Sequence, residues 1–402
     1  MKGIFLGAGA SYECGMPLVW EFTNVLRSNV LKRLDTNLFD FSKEPSFRGH
    51  FEEIISNPDF HYEQMIGELE TIYLERGKSS DTARAAALQL VDCVQILLLE
   101  DQGLTTGLFS EKAKDYSGIS GLLNKNPHLH VFSLNHDINF EEICKIHNVG
   151  CRDGFFEQSN ERYSNIARFK SLTKKQMNTG KFNFFDSDET GINLIKLHGS
   201  LDTFAVEDKE TYLKCYPSVD APIGAHFREI RKIEDHSLQL SQQTKVRTVG
   251  ELHVTDRNGE LQFLRRSLLS GAHKFKGTFD QIAPLAFFEE FKKRIELITE
   301  LDVIGYGFGD KHINEVLDSW LTQTNSTLNI YDPFRKTPPP ELPNHAENIK
   351  IINMGLTGYL QSFSLTKESL FARARRHSIE RAREQLKKKR LATWRSDNDS
   401  AG

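Results

Sequence analysis

Short apolar runs alternate along the chain with longer amphipathic stretches. The first apolar run occupies residues 3–6, and later runs that read as buried strands begin at His128, Asn193, Leu301, Thr327 and Ile349. Strands that alternate with helices indicate a parallel sheet covered on both faces. We therefore expect an α/β fold with its functional site at the carboxyl ends of the strands.

Helical periodicity dominates the region after the opening strand. We expect a helix from about Pro17 to Leu34 and a large helical insertion over about residues 35–127. Within the insertion, residues 61–74 and 82–99 repeat apolar side chains at helical spacing. The core candidates of these two helices are Met65, Leu69, Ile72, Leu88, Val91, Val94, Ile96 and Leu98.

The second half of the chain carries helices at about residues 287–299 and 313–321, but residues 203–285 show a less regular pattern. Residues 251–264 are typical of a hairpin around an Asp-Arg-Asn-Gly turn. We therefore expect one domain over residues 1–365, with a helical insertion and an irregular insertion, followed by a basic helical tail over 366–402.

The tail interleaves arginine and lysine with apolar residues. Three interpretations stay open: an amphipathic helix that packs on a neighbouring subunit of a homo-oligomer, a docking element for an acidic partner protein, or a weak contact with nucleic acid. The net charge of −4 argues against strong non-specific binding of nucleic acid by the whole chain.

Composition places the chain among globular proteins, with 39% hydrophobic and 26% charged residues. No apolar run reaches the ~18 residues of a membrane helix, and the start lacks the pattern of a secretory signal. The five cysteines form no C-x-x-C pair, so neither a disulfide framework nor a zinc site is expected. We expect a cytoplasmic protein with no membrane partner and no bound metal.

Four strand ends carry unusual glycine-rich or polar sequence: Gly7-Ala8-Gly9-Ala10-Ser11, Ser133-Leu134-Asn135-His136-Asp137, His198-Gly199-Ser200 and Gly305-Tyr306-Gly307-Phe308-Gly309-Asp310. Small residues let backbone amides approach a diphosphate, and the following helix offers its positive end. The alternative for both glycine-rich stretches is a tight strand-to-helix turn without a ligand.

The polar strand ends have their own alternatives. Asn135 and Asp137 are costly to desolvate, so they need partners, which are either helix caps or the hydroxyls of a ligand. His198 is suited to proton transfer near neutral pH, although a lone histidine at a strand end is often structural.

Taken together and in this order, the four motifs resemble those of sirtuin-like domains. The resemblance implies a Rossmann-like sheet of the sirtuin type, which binds NAD and cleaves its nicotinamide–ribose bond. It implies that His198 is the general base and that Asn135, beside Asp137 in the nicotinamide pocket, orders the ribose or a water. The cofactor-binding residues that it implies are Gly7, Ala8, Gly9, Ala10, Ser11, Asp137, Gly305, Gly307, Asp310 and Asp332.

Two departures separate the chain from sirtuin deacylases. The zinc-binding cysteines have no counterpart, and Gly15-Met16-Pro17 continues with Leu18-Val19-Trp20 instead of Asp-Phe-Arg. With its helical insertion, the chain resembles sirtuin-like NAD hydrolases of bacterial anti-phage defence, some of which assemble with a HerA-type ATPase or an Argonaute-like protein. The alternatives are an NAD-dependent protein deacylase and a non-catalytic module that senses NAD or a related nucleotide.

Overall fold

The centre of the fold is a parallel sheet of seven strands, here in a computed structural model that describes residues 1–36, 39–157, 166–206, 210–218, 220–244, 265–268, 282–323, 325–364 and 369–394. The described strands are β1 Lys2–Leu6, β2 His128–Ser133, β3 Cys151–Arg152, β4 Phe169–Thr173, β5 Gly191–Lys196, β6 Gly199–Val206, β7 Thr211–Cys215, β8 Arg265–Leu268, β9 Glu300–Ile304, β10 Thr327–Tyr331 and β11 Ile349–Ile352.

The helices fill the connections between these strands. They are α1 Ala8–Tyr12, α2 Val19–Lys32, α3 Phe47–Ser56, α4 Tyr62–Leu74, α5 Ser80–Leu104, α6 Thr106–Lys112, α7 Gly118–Lys125, α8 Asn139–Ile146, α9 Lys174–Asn178, α10 Ala225–Thr244, α11 Ile282–Ile295, α12 Lys311–Leu321, α13 Leu356–Gln361 and α14 Leu370–Leu391. Short 3₁₀ helices cover Ala113–Tyr116 and Pro343–Asn348.

The strand order of the parallel sheet is β11-β10-β9-β1-β2-β5-β3. The chain moves outward from β1 through β2 in one direction and later returns to the other side of β1 with β9. A reversal of this kind opens a crevice at the carboxyl ends of the strands. The α/β class predicted from the apolar runs and the Rossmann-like sheet implied by the motif resemblance are both confirmed, and the crevice lies where β1, β2 and β9 end.

Both faces of the sheet are covered, as the continuous apolar strands require. Alternate residues of β1 point to opposite faces. Phe5 packs with Phe291 of α11 on one face, whereas Ile4 and Leu6 pack with Ile143 of α8 on the other.

The helices from α2 to α5 form a separate apolar core beside the sheet, and residues 47–125 are helical for most of their length. Met65 and Leu69 are buried as expected, but Ile96 is 46% exposed and does not belong to the core. Helix α5 is long and apolar enough in composition to cross a membrane, yet it packs against α2 and α4 as an interior helix does.

The expectation of an irregular segment over residues 203–285 is wrong for its described part. Strands β4, β7, β6 and β8 form an antiparallel sheet in that order, and α10 adds a long helix. Strand β6 begins at Gly199, so the polar stretch after β5 is a turn of two residues rather than a loop. The predicted hairpin at residues 251–264 lies outside the described residues.

The basic tail is helical, as predicted, and α14 packs against α2 and α6 of its own chain. Arg390 is buried, and its guanidinium donates to the carbonyl oxygen of Gly15 at 2.9 Å and to Asp101 Oδ1 at 2.8 Å. Earlier on the same helix, the Arg383 guanidinium lies 4.6 Å from the centre of the Tyr12 ring. The inner face of the tail therefore stabilises the turn that follows α1.

Candidate functional site

Two glycine-rich junctions cross at the carboxyl ends of β1 and β9. The amide of Gly7 donates to the carbonyl oxygen of Ile304 at 3.0 Å, and the amide of Gly9 donates to that of Gly305 at 2.8 Å. A Cβ on Gly7 would lie 2.6 Å from Gly305 O, and one on Gly305 would lie 2.5 Å from the carbonyl carbon of Gly9. Gly305 also has a φ of +64°. Close backbone packing thus accounts for these three glycines without a ligand.

The residues between Gly7 and Tyr12 are helical rather than a loop, which corrects the sequence prediction. Ala8 opens the one-turn helix α1, and Ala10 and Ser11 are buried in it. On the other side of the crossing, a Cβ on Gly307 would meet no atom within 4 Å. Among the glycines predicted to bind the cofactor, Gly307 therefore has open space beside it.

Asn135 joins the end of β2 to the first junction. Its Nδ2 donates to the carbonyl oxygen of Gly7 at 2.9 Å and to Ser11 Oγ at 2.8 Å. Because a carbonyl oxygen can only accept, the nitrogen of the amide must lie on this side. The amide oxygen of Asn135 is therefore turned away from α1.

Asp137 lies two residues further on and is 6% exposed. Its Oδ1 accepts from the backbone amide of Asn139 at 3.0 Å. Burial raises the pKa of the Asp137 carboxyl, while the charge of Lys196 and a hydrogen bond from Ser11 act in the opposite direction. The ammonium of Lys196 donates to the backbone carbonyl of Asp137. The Asp137 carboxyl therefore accepts from the first amide of α8 and lines the cavity, while its contact with a ligand stays a prediction.

A small cavity of about 10 Å³, room for about one water molecule, lies under these side chains. Apolar side chains form part of its wall, and its polar lining comes from Ser11, Ser133, Asn135, Asp137, Asn139 and Lys196. Cys14 also lines it, but burial raises the pKa of the thiol to about 12. The thiol is therefore protonated at neutral pH and is not a nucleophile.

His198, in the turn between β5 and β6, pairs with Asp310. The distance from His198 Nε2 to Asp310 Oδ2 is 3.1 Å, and both side chains are more than nine-tenths buried. The other carboxylate oxygen of Asp310 accepts from the amide of His312 at 3.0 Å and caps α12. The sequence placed Asp310 among cofactor-binding residues, but here the structure brings it against the predicted base.

The His198–Asp310 pair lies next to the segment that contains Asn135. The ring of His136, between Asn135 and Asp137 in sequence, has its centre 6.1 Å from that of His198. Asp332 is farther away, at the end of β10, which lies two strands from β1. Its carboxylate accepts from the amides of Phe334 and Arg335 and shapes a turn there.

Sequence reasoning assigned no role to the buried charges behind the site. Lys214 Nζ lies 3.3 Å from Glu141 Oε1, 3.4 Å from Asp153 Oδ2 and 3.6 Å from Asp202 Oδ2. Burial alone would raise the pKa of Asp202, but the charge of Lys214 and its other partners lower it. Lys196 lies 3.3 Å from the same Glu141 carboxylate and connects this network to the cavity. Polar residues scattered over four elements carry no shared spacing that could have revealed it.

Within the described ranges, no group of three or more His, Cys, Asp or Glu side chains is arranged to hold a metal ion.

No family model and no curated protein matches the chain. Among solved structures, it is similar to Sir2Tm bound to a propionylated peptide, with 12% identity and a TM-score of 0.32 over 90% of this chain and 91% of that one. It is also similar to a structure described as the basis for the mechanism and regulation of Sir2 enzymes, with 9% identity and a TM-score of 0.30 over 95% and 93% of the two chains. The fold class stated above depends on the parallel sheet and its strand order.

Proposed function

We propose that this protein is an NAD⁺ glycohydrolase that converts NAD⁺ to nicotinamide and ADP-ribose. The observation that carries the proposal is the meeting of two groups at one edge of the sheet: the oriented amide of Asn135 and the His198–Asp310 pair. NAD is the substrate of this reaction and not a resident cofactor. The motif resemblance supplies the choice of NAD, and the geometry gives each polar side chain a chemical task.

The bond between nicotinamide and ribose breaks through a transition state with positive charge on the ribose. A water then forms a bond to the anomeric carbon, nicotinamide leaves as a neutral base, and the proton of the water passes to His198. Asp310 lies 3.1 Å from Nε2 of His198 and orients the imidazole. Asn135 Oδ1 accepts from the water or from a ribose hydroxyl, and the buried surroundings exclude bulk water.

The glycine-rich junctions define the rest of the proposed nucleotide site. Gly7, Gly9 and Gly305 bring the two backbones together, and we assign the phosphates to the α1 side of the crossing. Gly307 and Asp332 lie towards the opposite side of the crevice, where we place the adenosine. The NAD-binding part of the proposal thus uses both sides of β1.

We further propose that hydrolysis depletes cellular NAD in defence against phage. This role comes from the resemblance to sirtuin-like defence effectors, as do the expected homo-oligomer and a HerA-type ATPase or other defence partner. A cytoplasmic location follows from the same role.

The test measures nicotinamide and ADP-ribose released from NAD⁺ by the full chain. His198→Ala is expected to lower turnover by about 10²–10⁴-fold, the range for loss of a positioned proton-transfer group. Asn135→Ala is expected to lower it by about 10²–10³-fold, the range for loss of a preorganised hydrogen-bonding group. His50→Ala, at an exposed position on α3, is the matched control and keeps wild-type turnover.

Three other results would contradict the proposal. Wild-type turnover in His198→Ala would remove the assigned base. Nicotinamide release only in the presence of an acylated peptide would indicate a protein deacylase. Tight NAD binding without cleavage, alone and with the candidate ATPase, would indicate a nucleotide-sensing module.

A further inference from the structure

Residues 11–15, which we call the α1 turn, connect the candidate site to the basic tail. The first of them faces the site, because Asn135 Nδ2 donates to Ser11 Oγ at 2.8 Å. The backbone then turns back on itself, since the amides of Cys14 and Gly15 donate to the carbonyl oxygens of Ser11 and Tyr12, each at 3.0 Å. A force on the far end of this short turn is therefore transmitted to the hydroxyl that meets Asn135.

Two arginines of α14 contact the α1 turn directly. The Arg383 guanidinium lies 4.6 Å from the centre of the Tyr12 ring, within the range at which a cation is attracted to an aromatic face. Burial raises the pKa of the Tyr12 phenol, and the charge of Arg383 acts in the opposite direction. Seven residues later on the helix, Arg390 donates to the carbonyl oxygen of Gly15 at 2.9 Å. The tail thus holds the turn at its second residue and at its last.

A third connection runs through the 3₁₀ helix Ala113–Tyr116. Asp115 accepts from the guanidinium of Arg375, and its side chain is 2% exposed. Lys112 Nζ lies 3.7 Å from Asp115 Oδ2 and 3.9 Å from Glu13 Oε2. Since buried charges are screened little by salt, this row of alternating charges links Arg375 of the tail to Glu13 of the α1 turn.

The charge of α14 explains why the helix lies on its own chain. It carries nine arginine and lysine residues against two glutamates, although the whole chain has a net charge of −4. The carboxylates that it meets are buried ones: Asp115 at the start of the helix, and Glu21 and Asp101 at its end. Opposite charges therefore fix both ends of α14, with the α1 turn between them.

We propose that α14 is a conformational strap that holds the α1 turn in the arrangement that binds NAD⁺. Loosening the strap weakens nucleotide binding through Ser11 and leaves the chemical step intact. The base is held independently, because Asp310 contacts His198 and caps α12. This inference rests on the proposed function and adds to it the control of the site by the tail.

The first experiment measures hydrogen exchange of the amides in residues 7–16 of the full chain by mass spectrometry. Arg383→Gln removes the cation from the Tyr12 ring and keeps a residue that forms helices well. These amides are expected to exchange about two- to fivefold faster, the factor that corresponds to one lost cation–π contact. Arg381→Gln, at an exposed position on the same helix, is the matched control and keeps wild-type rates. Arg383→Lys should restore protection, because an ammonium is also attracted to the ring.

The second experiment measures KM and kcat for NAD⁺ with the same three variants. Arg383→Gln is expected to raise KM by about two- to fivefold at an unchanged kcat, and Arg383→Lys should return KM towards the wild-type value. A variant that merely loses folded protein shows the reverse pattern, a lower kcat at an unchanged KM. That pattern would overturn the inference.

The two readouts separate this inference from the proposed function. Unchanged exchange in Arg383→Gln would show that the tail does not hold the α1 turn, whatever the chain does to NAD⁺. Faster exchange at an unchanged KM would show that the turn is held but that the site does not depend on it. If the wild type neither binds nor hydrolyses NAD⁺, the proposed function fails and the link to nucleotide binding fails with it, while the exchange rates still decide whether α14 holds the turn.

Discussion

Arg390 on the basic tail offers a direct test of how the tail stabilises the protein. Its side chain is 7% exposed and lies between Glu21, which is 3% exposed, and Asp101, which is 11% exposed. It also donates to the carbonyl oxygen of Gly15 in the turn after α1. Arg390→Ala would leave two buried carboxylates without their cation.

The magnitude follows from burial. Removing one member of a buried ion pair costs about 3–5 kcal/mol, because the remaining charge stays desolvated. Asp101 keeps some contact with solvent, so we expect the lower end, about 3 kcal/mol. Arg381→Ala, at an exposed position on the same helix, is the control and should change the free energy of unfolding by less than about 0.5 kcal/mol.

The pH dependence gives the assay a second readout. Burial raises the pKa of Glu21 and of Asp101, and Arg390 lowers both. Without Arg390, the pKa values of both carboxyls in the folded protein rise further above those in the unfolded chain. The ionised carboxylates therefore destabilise the variant at neutral pH. The loss in free energy of unfolding should become smaller as the pH falls through the raised pKa values, because both carboxylates then take up protons.

Urea unfolding of the parent, Arg390→Ala and Arg381→Ala at neutral and mildly acidic pH measures both effects. A deficit no larger than that of Arg381→Ala would refute the buried ion pairs. A large deficit that did not change with pH would instead assign the loss to packing.

Three further predictions concern the site. Asp310→Asn keeps a residue that caps helices well, so the free energy of unfolding should not change. NAD⁺ turnover should fall by at least about 10²-fold, because His198 loses the carboxylate that orients it, and unchanged turnover would argue against the His198–Asp310 pair. Gly305→Ala should lower the free energy of unfolding by about 1–3 kcal/mol, whereas Gly307→Ala should change it by less than about 0.5 kcal/mol. Equal effects of the two variants in a denaturant titration would contradict the close packing of the Gly305 backbone against Gly9. Burial raises the pKa of Asp137, so NAD⁺ turnover should fall on acidification at a higher pH than for an ordinary aspartate. A pH profile that Asp137→Asn leaves unchanged would exclude the Asp137 carboxyl as the titrating group.

The parallel sheet could be predicted because its strands are buried on both faces. Continuous apolar runs revealed β1, β2, β5, β9, β10 and β11, and the structure contains all six. The antiparallel sheet escaped prediction because polar residues occupy its interior. Asp202 of β6 and Lys214 of β7 are both buried as an ion pair, and such residues erase the apolar alternation on which a strand prediction depends.

The site was predictable only as a set of strand ends. Parallel strands bring their carboxyl ends to one edge, so Asn135 and His198 could be expected in one neighbourhood. The hydrogen-bonding partners of Asn135 and His198 could not be predicted, because such contacts depend on the direction in which each side chain points. Asp310 was predicted to face a nucleotide, yet it caps α12 and holds His198. Gln102 of α5, whose Nε2 donates to Asn139 Oδ1 at 2.8 Å beside the cavity, had no signal in the sequence, since an amide inside an apolar helix resembles any other interruption of the pattern.

The glycine motifs illustrate why a sequence pattern alone leaves the ligand open. Gly7, Gly9 and Gly305 are required by the crossing of two backbones, and that requirement holds whether or not a phosphate binds there. A ligand is indicated instead by polar groups that the fold does not satisfy by itself. Asn139 has one such atom: its Oδ1 accepts from Gln102 Nε2 at 2.8 Å, and no described residue accepts from its Nδ2. The amide of Asn139 also has a structural task, because an apolar side chain at this position would leave the buried Nε2 of Gln102 without its acceptor.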